Sequence, residues 1–302
     1  MMHRQSQQGF TLVEMIMVIV ITGIIGGMVA VFLKAPIQQY MDVARRADMT
    51  DIADTALRRI GRDLRLALPN SVSVTTSGGA RGAGGCTGNN ICFIEFLPTT
   101  GGGRYRSGAG GTNDILDFTI TDISFEVLGP MPPAFVGGES VVVYNMGITG
   151  ASAYDNTSRT TTTVTAAGNI INIGAPGKLF PFDSCQTDPL TGRVGGCRFQ
   201  MITTPVSYVC APAANGIGGT LTRYWGYAIQ PAQPTALGTL TSVNPGAVLA
   251  NNVSSCSFAY NAFVVAQRSG LVTMNLGITE ANPSGGYETI TLYSATHVSN
   301  VP

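Results

Sequence analysis

The first part of the chain is a long apolar run bounded by polar residues. Residues 15–33 carry no charged side chain, and Lys34 ends the run. About 20 apolar residues are needed to cross a bilayer as a helix, so this run predicts one membrane-spanning helix. Gly23 and Gly27 form a GxxxG pattern within it, a spacing that allows two helices to pack closely but is also common in membrane helices generally.

A second helical pattern follows, with apolar residues recurring every fourth position. These are Ile52, Ala56, Ile60, Leu64 and Leu68, and Pro69 is expected to end the helix. Pro36 is expected to kink or interrupt it between its two halves. The pattern therefore predicts one long helix with a membrane half at 10–34 and an amphipathic half at 35–68.

Beyond Pro69 the helical period disappears and short strand-like segments follow. They are β-branched or alternating and are separated by Gly, Pro, Asn or Ser turns. The predicted strands are 91–97, 115–120, 123–128, 140–145, 170–173, 199–203, 206–210, 222–229, 254–260, 271–278 and 288–298. The Gly-rich stretches 77–85 and 101–111 are predicted as flexible loops, and the threonine run 160–163 as an exposed loop or a strand edge. The expected fold class is α+β, with the helix packed on a mainly antiparallel β domain at 69–302.

The balance of basic and acidic residues argues against one class of partner, nucleic acid. Lys+Arg and Asp+Glu both number 17, so no overall field favours nucleic acid, and we expect no nucleic-acid partner. Arg58, Arg62 and Arg65 share one helix face. They form either a docking stripe for an acidic neighbour or a solvated face partly neutralised by nearby aspartates, and the solvated face is the preferred interpretation.

All six cysteines follow the apolar run. They are Cys86, Cys92, Cys185, Cys197, Cys210 and Cys256. An even number of cysteines beyond a membrane anchor indicates disulfides, for which six cysteines allow 15 pairings. Proximity along the chain favours 86–92 and 185–197, which leaves 210–256 to join two distant strands.

Catalytic chemistry finds little support. His297 is the only histidine beyond the apolar run, and no GxSxG motif occurs. A nucleophilic site needs a base and an orienting group beside its nucleophile, so we expect no enzyme and no cofactor.

Two weaker sites were considered. Asp114, Asp117 and Asp122 lack the Gly and Glu of an EF-hand loop, so no metal site is expected. The aromatic residues around Trp225 are interpreted as core packing and not as a sugar platform.

Glu14 is the unusual residue of the N-terminal segment. A carboxylate at the edge of a membrane helix is costly and requires a partner. If the chain is cut between Gly9 and Phe10, the new α-amino group of Phe10 on a neighbouring helix lies at about the same depth. Pairing of Glu14 with that amine would set the stagger of an assembling filament.

The sequence Gly9-Phe10-Thr11-Leu12-Val13-Glu14 before the apolar run resembles the class III signal of type IV prepilins. The resemblance implies a leader at 1–9, cleavage after Gly9 by a prepilin peptidase, and N-methylation of Phe10. It also implies that Glu14 is needed for assembly and that the apolar helix, including Gly23 and Gly27, packs against other pilins.

Further segments narrow the resemblance. Residues 205–210, 222–227, 252–260 and 297–301, with the helix at 58–68, resemble the PilW group and the J-type pseudopilins of type II secretion. They are most similar to the MshO group of minor prepilin-like proteins from mannose-sensitive haemagglutinin (MSHA) pilus biogenesis. The resemblance implies a lollipop-shaped minor subunit that takes part in initiation or tip assembly of an MSHA-type pilus. The alternatives are a J-like pseudopilin and a tip adhesin binding a surface glycan.

The same resemblance implies location and partners. The chain would be a single-pass inner-membrane protein, with Arg4 favouring a cytoplasmic N-terminus and the β domain lying in the periplasm or on a surface pilus. Its partners would be the prepilin peptidase, other major and minor pilins, and the pilus assembly platform.

Overall fold

The structure is a computed structural model of the 302-residue chain. It describes residues 9–76, 81–88, 90–108, 114–132, 138–192, 194–214, 216–264, 269–282 and 285–302. The chain forms two compact units, Met1–Asp48 and Met49–Pro302.

One long helix, α1 (Leu12–Leu64), extends from the first unit into the second. Pro36 lies inside it without ending it, so the possibility of an interruption there is wrong. A proline removes one backbone hydrogen bond, a loss that a helix of 53 residues can sustain. The helix stops at Leu64 and not at Leu68, because the Leu68 N–H donates to the Leu97 carbonyl in the β domain instead (2.7 Å).

The remaining elements are seventeen strands and one short helix within the described part of the chain, α2 (Leu237–Leu240). In chain order the strands are β1 (Ser73–Thr75), β2 (Gly84–Cys86), β3 (Cys92–Phe96), β4 (Thr99–Tyr105), β5 (Ser124–Leu128), β6 (Ser140–Val143), β7 (Thr165–Ala167), β8 (Ile170–Asn172), β9 (Gln186–Thr187), β10 (Val194–Gly195), β11 (Arg198–Ile202), β12 (Val206–Ala211), β13 (Thr220–Trp225), β14 (Ala247–Asn251), β15 (Val253–Val264), β16 (Ser269–Ala281) and β17 (Tyr287–Ser299).

The main core of the second unit lies between α1 and two antiparallel sheets. The sheets have the strand orders β1-β3-β12-β13-β14 and β17-β16-β15-β2. The predicted apolar face of the helix supplies Ala56, Ile60 and Leu64, all buried in one cluster with strand residues such as Tyr208 and Phe258. Gly61 lets the helix approach β17, since a Cβ there would lie 2.9 Å from Thr296 Oγ1. The predicted α+β class, with a mainly antiparallel β domain, is confirmed.

A second core lies within a six-stranded sheet of order β6-β11-β4-β5-β8-β7. Its aromatic centre contains Tyr105, Phe125 and Phe199, with Phe125 and Phe199 in edge-to-face contact. Edge-to-face packing of this kind adds stability beyond the buried area alone.

The Gly-rich stretch 101–111 was wrongly predicted as wholly flexible loop. Residues 101–105 belong to β4, and residues 109–113 lie outside the described residues. A Cβ at Gly102 would lie 2.7 Å from the Phe199 carbonyl oxygen, and one at Gly103 would lie 2.9 Å from the Phe199 ring. Glycine therefore lets β4 lie against β11. In the other stretch, residues 77–80 lie outside the described residues and Gly84 and Gly85 belong to β2.

One further prediction fails for a local reason. Residues 115–120 form no strand, because the Asp117 carboxylate accepts the Thr119 N–H (2.7 Å) and hydroxyl (2.6 Å) and closes a turn. The threonine run 160–163 lies in a loop, as predicted, with Thr161 and Thr163 exposed. Thr160 differs, because it is buried and its hydroxyl accepts the Val141 N–H of β6 at 2.9 Å.

Candidate functional site: the N-terminal signal and its helix

The helix start is built by Thr11 and Glu14. The Glu14 N–H donates to Thr11 Oγ1 (3.3 Å), and the Met15 N–H donates to the Thr11 carbonyl (3.2 Å). Thr11 therefore occupies the N-cap and Glu14 the third helical position, the arrangement of a capping box. The T-x-x-E spacing is visible in the sequence, and our sequence interpretation of Glu14 missed it.

The predicted cleavage position, between Gly9 and Phe10, lies just outside this cap. Gly9 and Phe10 precede the helix, and Phe10 is 82% exposed. A Cβ at Gly9 would meet no atom within 4 Å. The bond between the two residues is therefore in a non-helical, accessible segment, as a peptidase requires.

Glu14 has two electrostatic features. As an acidic residue in the first turn it faces the positive end of the helix dipole, where a carboxylate is favourable. It makes no ion pair with any other residue that the structure describes. Its carboxylate thus remains able to accept a cation from outside the chain.

The helix beyond the cap is apolar around its whole circumference. Every residue from 12 to 34 is exposed, and α1 is the one described helix long and apolar enough to cross a membrane. At Gly23 and Gly27 an added Cβ would meet nothing within 4 Å, so a neighbouring helix has room to approach both. An apolar surface this large must be covered by lipid or by other helices.

This geometry agrees with what the comparisons with known proteins find. Residues 4–30 match the family model described as the prokaryotic N-terminal methylation motif. The chain carries a prepilin-type signal. The match includes Gly9, Phe10 and Glu14, and it supports a type IV pilin-like subunit with a single membrane anchor and processing by a prepilin peptidase. No curated protein and no solved structure matches the chain.

The six cysteines form three disulfides. The bonded pairs are Cys86–Cys92, Cys185–Cys197 and Cys210–Cys256. These are the pairs that proximity along the chain favoured. The third joins β12 of the five-stranded sheet to β15 of the four-stranded sheet, and so links the two sheets of the main core.

The three arginines of the predicted helix face, at positions 58, 62 and 65, differ in whether they have an acidic partner. Arg58 pairs with Asp54 at 2.6 Å, whereas Arg62 and Arg65 are exposed and form no ion pair within the described part of the chain. The prediction of a partly neutralised face is therefore correct for Arg58 alone.

Asp63 does not neutralise this face, because its carboxylate binds side chains of the β domain. It accepts from Arg223 at 2.9 Å and from the Tyr208 hydroxyl at 2.7 Å, and Arg59 lies 3.3 Å away. Burial raises the pKa of Tyr208, and the hydrogen bond to Asp63 raises it further. The Tyr208 phenol therefore stays protonated and acts as a donor.

One buried charged group was missed by the sequence analysis. Glu95 is fully buried on β3 and lies 2.8 Å from Arg81, which also donates to the carbonyls of Gln230, Pro231 and Ala232. Burial raises the pKa of Glu95, and Arg81 opposes that rise. The pair ties the segment at 81 to the loop at 230–232, which indicates a structural role.

The weaker candidate sites all lie in the second unit. His297 is exposed on β17, with Ser269 as its hydroxyl partner at 3.3 Å. Among the described residues no group of three His, Cys, Asp or Glu is arranged to hold a metal. Tyr224 and Tyr227 are buried, in agreement with the interpretation of that segment as core.

Proposed function

We propose that this protein is a minor pilin-like structural subunit, cut after Gly9 and built into the initiation or tip complex of an MSHA-type type IV pilus. One observation carries the proposal. The helix that begins inside the methylation motif is exposed from residue 12 to residue 34 and is apolar on all sides from residue 15 to residue 33. Such a helix fits a subunit that leaves the bilayer by exchanging lipid for the helices of its neighbours.

Glu14 and Phe10 have complementary roles in this proposal. Cleavage creates a cationic amine at Phe10, and methylation retains its charge. The carboxylate of Glu14 on the adjoining subunit forms an ion pair with this amine. In a low-dielectric filament core each charge would be costly alone, so the pair favours one axial stagger over others. Gly23 and Gly27 would permit the close helix approach that such a stagger needs.

The size of the β domain supports a minor rather than a major subunit. Within its described residues the second unit contains two large apolar cores, two smaller buried clusters and three disulfides. A domain of this size is better suited to a few copies at a filament end than to the repeating shaft. The proposed location is the inner membrane, with the β domain periplasmic before assembly and the peptidase and assembly platform as its partners.

A tip adhesin is the second candidate. A groove of about 450 Å³ in the β domain is lined by Asn70, Tyr144, Tyr260 and Asn300, among others. Tyr144 is half-buried there and offers an aromatic ring on which a sugar can stack, whereas the side-chain N–H groups of Asn70 and Asn300 already donate to carbonyls within the chain. A J-like pseudopilin of type II secretion is a variant of the first class and shares the same signal.

Deletion of the gene tests the proposal. We expect surface pili to disappear and to return when the wild-type chain is supplied. Normal pili that fail to adhere would support the adhesin instead, and a defect in protein secretion with normal pili would support the pseudopilin.

A further inference from the structure

The last strand of the chain is an unusually long sheet edge. β17 pairs with β16 over all 13 of its residues without a register shift, and it is the outermost strand of its sheet. The described edge strands β1, β6, β7 and β14 have only 3, 4, 3 and 5 residues. In an antiparallel edge strand about half the residues direct their N–H and C=O groups away from the sheet.

β17 also lacks the features that usually protect a sheet edge. It contains no Lys, Arg, Pro or Gly, and its side chains are mainly Thr, Ser, Tyr and aliphatic residues. Proteins commonly use charged residues, prolines, bulges or short lengths to prevent other strands from adding to an edge. β17 is long, contains no proline and no bulge, and carries a single carboxylate, Glu288, near its start, so most of its length lacks this protection and favours strand addition.

A groove of about 510 Å³ runs beside this edge. It is lined by α1 on one side, including Arg58, Arg62 and Arg65, and by β17 on the other, at Ser294, Ala295 and Thr296. Consecutive residues of a strand point to opposite faces. Because all three line the groove, the groove passes the edge of the strand and not only one of its faces.

The groove is positively charged. Arg59 is the fourth arginine in its lining, and of the four only Arg58 and Arg59 have a carboxylate partner. Arg58 and Arg62 are four residues apart, and Arg62 and Arg65 are three apart, so like charges adjoin along the helix and destabilise it slightly. An acidic partner would relieve that repulsion.

We propose that this surface, the β17 edge with the arginine groove, binds an extended acidic segment of another protein chain. The segment would add to β17 as a further strand, and its Asp or Glu side chains on one face would pair with Arg62 and Arg65. A second copy of β17 fits this chemistry poorly, since the strand offers Glu288 as its only carboxylate. The inference depends on the second unit alone, Met49–Pro302, and holds whether or not the chain enters a filament.

The test uses the full-length chain in detergent micelles. The probe is a short synthetic peptide in which Glu alternates with Thr and Val, and the comparison peptide has Lys in place of Glu. Fluorescence anisotropy measures binding of each labelled peptide, and hydrogen exchange followed by mass spectrometry measures protection of the backbone at 287–299. We expect only the acidic peptide to bind, and about half of the β17 amides to gain protection.

Two double variants distinguish binding at this surface from non-specific electrostatic attraction between the peptide and the protein. Arg62→Glu combined with Arg65→Glu is expected to weaken binding about tenfold or more. Arg104→Glu combined with Arg198→Glu makes the same charge change at two exposed residues outside the groove and should leave binding unchanged. Equal binding of the lysine peptide, binding without protection of 287–299, or equal loss in both variants would overturn the proposal. Protection of β17 by self-association without peptide would overturn it as well.

Discussion

The two units of the molecule use one helix in opposite ways. Up to Asp48 the helix is almost wholly exposed and, from residue 15 to residue 33, apolar around its circumference, whereas from Met49 onward one face is buried against sheets. Ile24 is 56% exposed and Ile60 is fully buried, although both are isoleucines in the same helix. Burial of apolar area stabilises a fold only where the chain itself supplies the covering surface. The difference shows that the second unit contains its own core, while the first requires lipid or other subunits.

The largest expected effect concerns Glu14 in the exposed unit. Glu14→Ala and Glu14→Gln should both be cleaved after Gly9 and methylated, yet enter filaments about tenfold less than wild type, because both lack the charge that pairs with the Phe10 amine. Immunoblots of membrane and sheared-filament fractions measure this.

The glutamine variant separates pairing from capping. Gln serves at this position of a capping box as well as Glu does, so it preserves the helix start. If Glu14→Gln entered filaments at the wild-type level while Glu14→Ala did not, the residue would act through the cap and the pairing account would be wrong.

The next largest effect concerns the buried unit and its link between sheets. The Cys210–Cys256 bond closes 46 residues and the Cys86–Cys92 bond only 6, so chain entropy gives losses of about 4 and about 2 kcal/mol when each pair is replaced by alanine. Thermal unfolding, followed by the fluorescence of the single residue Trp225, compares the two double variants. Equal losses of unfolding free energy would show that the longer loop closed by Cys210–Cys256 gives no extra entropic stabilisation.

Ile60→Ala and Ile24→Ala test the contrast between the units directly. Ile60→Ala should destabilise the β domain by about 2–5 kcal/mol, because it leaves a cavity among residues of the helix and both sheets. Ile24→Ala should change that unfolding by less than about 0.5 kcal/mol. Comparable destabilisation by both variants would mean that the exposed half of the helix also supports the β domain.

The smallest predicted effect concerns the glycine strand. Gly102→Ala places a Cβ against the Phe199 carbonyl oxygen, which is backbone and cannot turn aside, so we expect a loss of about 1–3 kcal/mol. Gly108→Ala is the matched control, since its Cβ meets no atom within 4 Å. A neutral Gly102→Ala would show that β4 and β11 do not need this close approach.

Sequence alone predicted the parts of the fold that depend on local period. The four-residue spacing correctly identifies Ala56, Ile60 and Leu64 as the buried helix face, although Ile52 at its start is exposed, and alternation identifies most of the strands. It failed where a distant partner decides the conformation. The glycine-rich sequence predicts a loop at Gly102 and Gly103, whereas in the structure both residues belong to a strand that packs against Phe199 of β11. No local pattern connects Arg81 with Glu95, or Arg62 with the edge of β17.

The candidate site followed the same rule. Gly9, Phe10 and Glu14 are adjacent in sequence, so their motif is complete within a few residues and the family model recognises it. The cap at Thr11 was equally local and was available from the T-x-x-E spacing. The groove beside β17 combines residues 55–65, from the end of α1 and the turn after it, with residues 294–296, from the two ends of the second unit, and only the folded chain brings them together.

The central claim, that the chain is cut after Gly9 and assembled through the helix that follows, is tested most directly by the mature N-terminus. The measurement is mass spectrometry of the protein purified from cells with and without the prepilin peptidase. The account predicts a chain that begins at N-methylated Phe10 when the peptidase is present, and one that retains residues 1–9 when it is absent. A chain that keeps its leader in both, or begins at another residue, would contradict it.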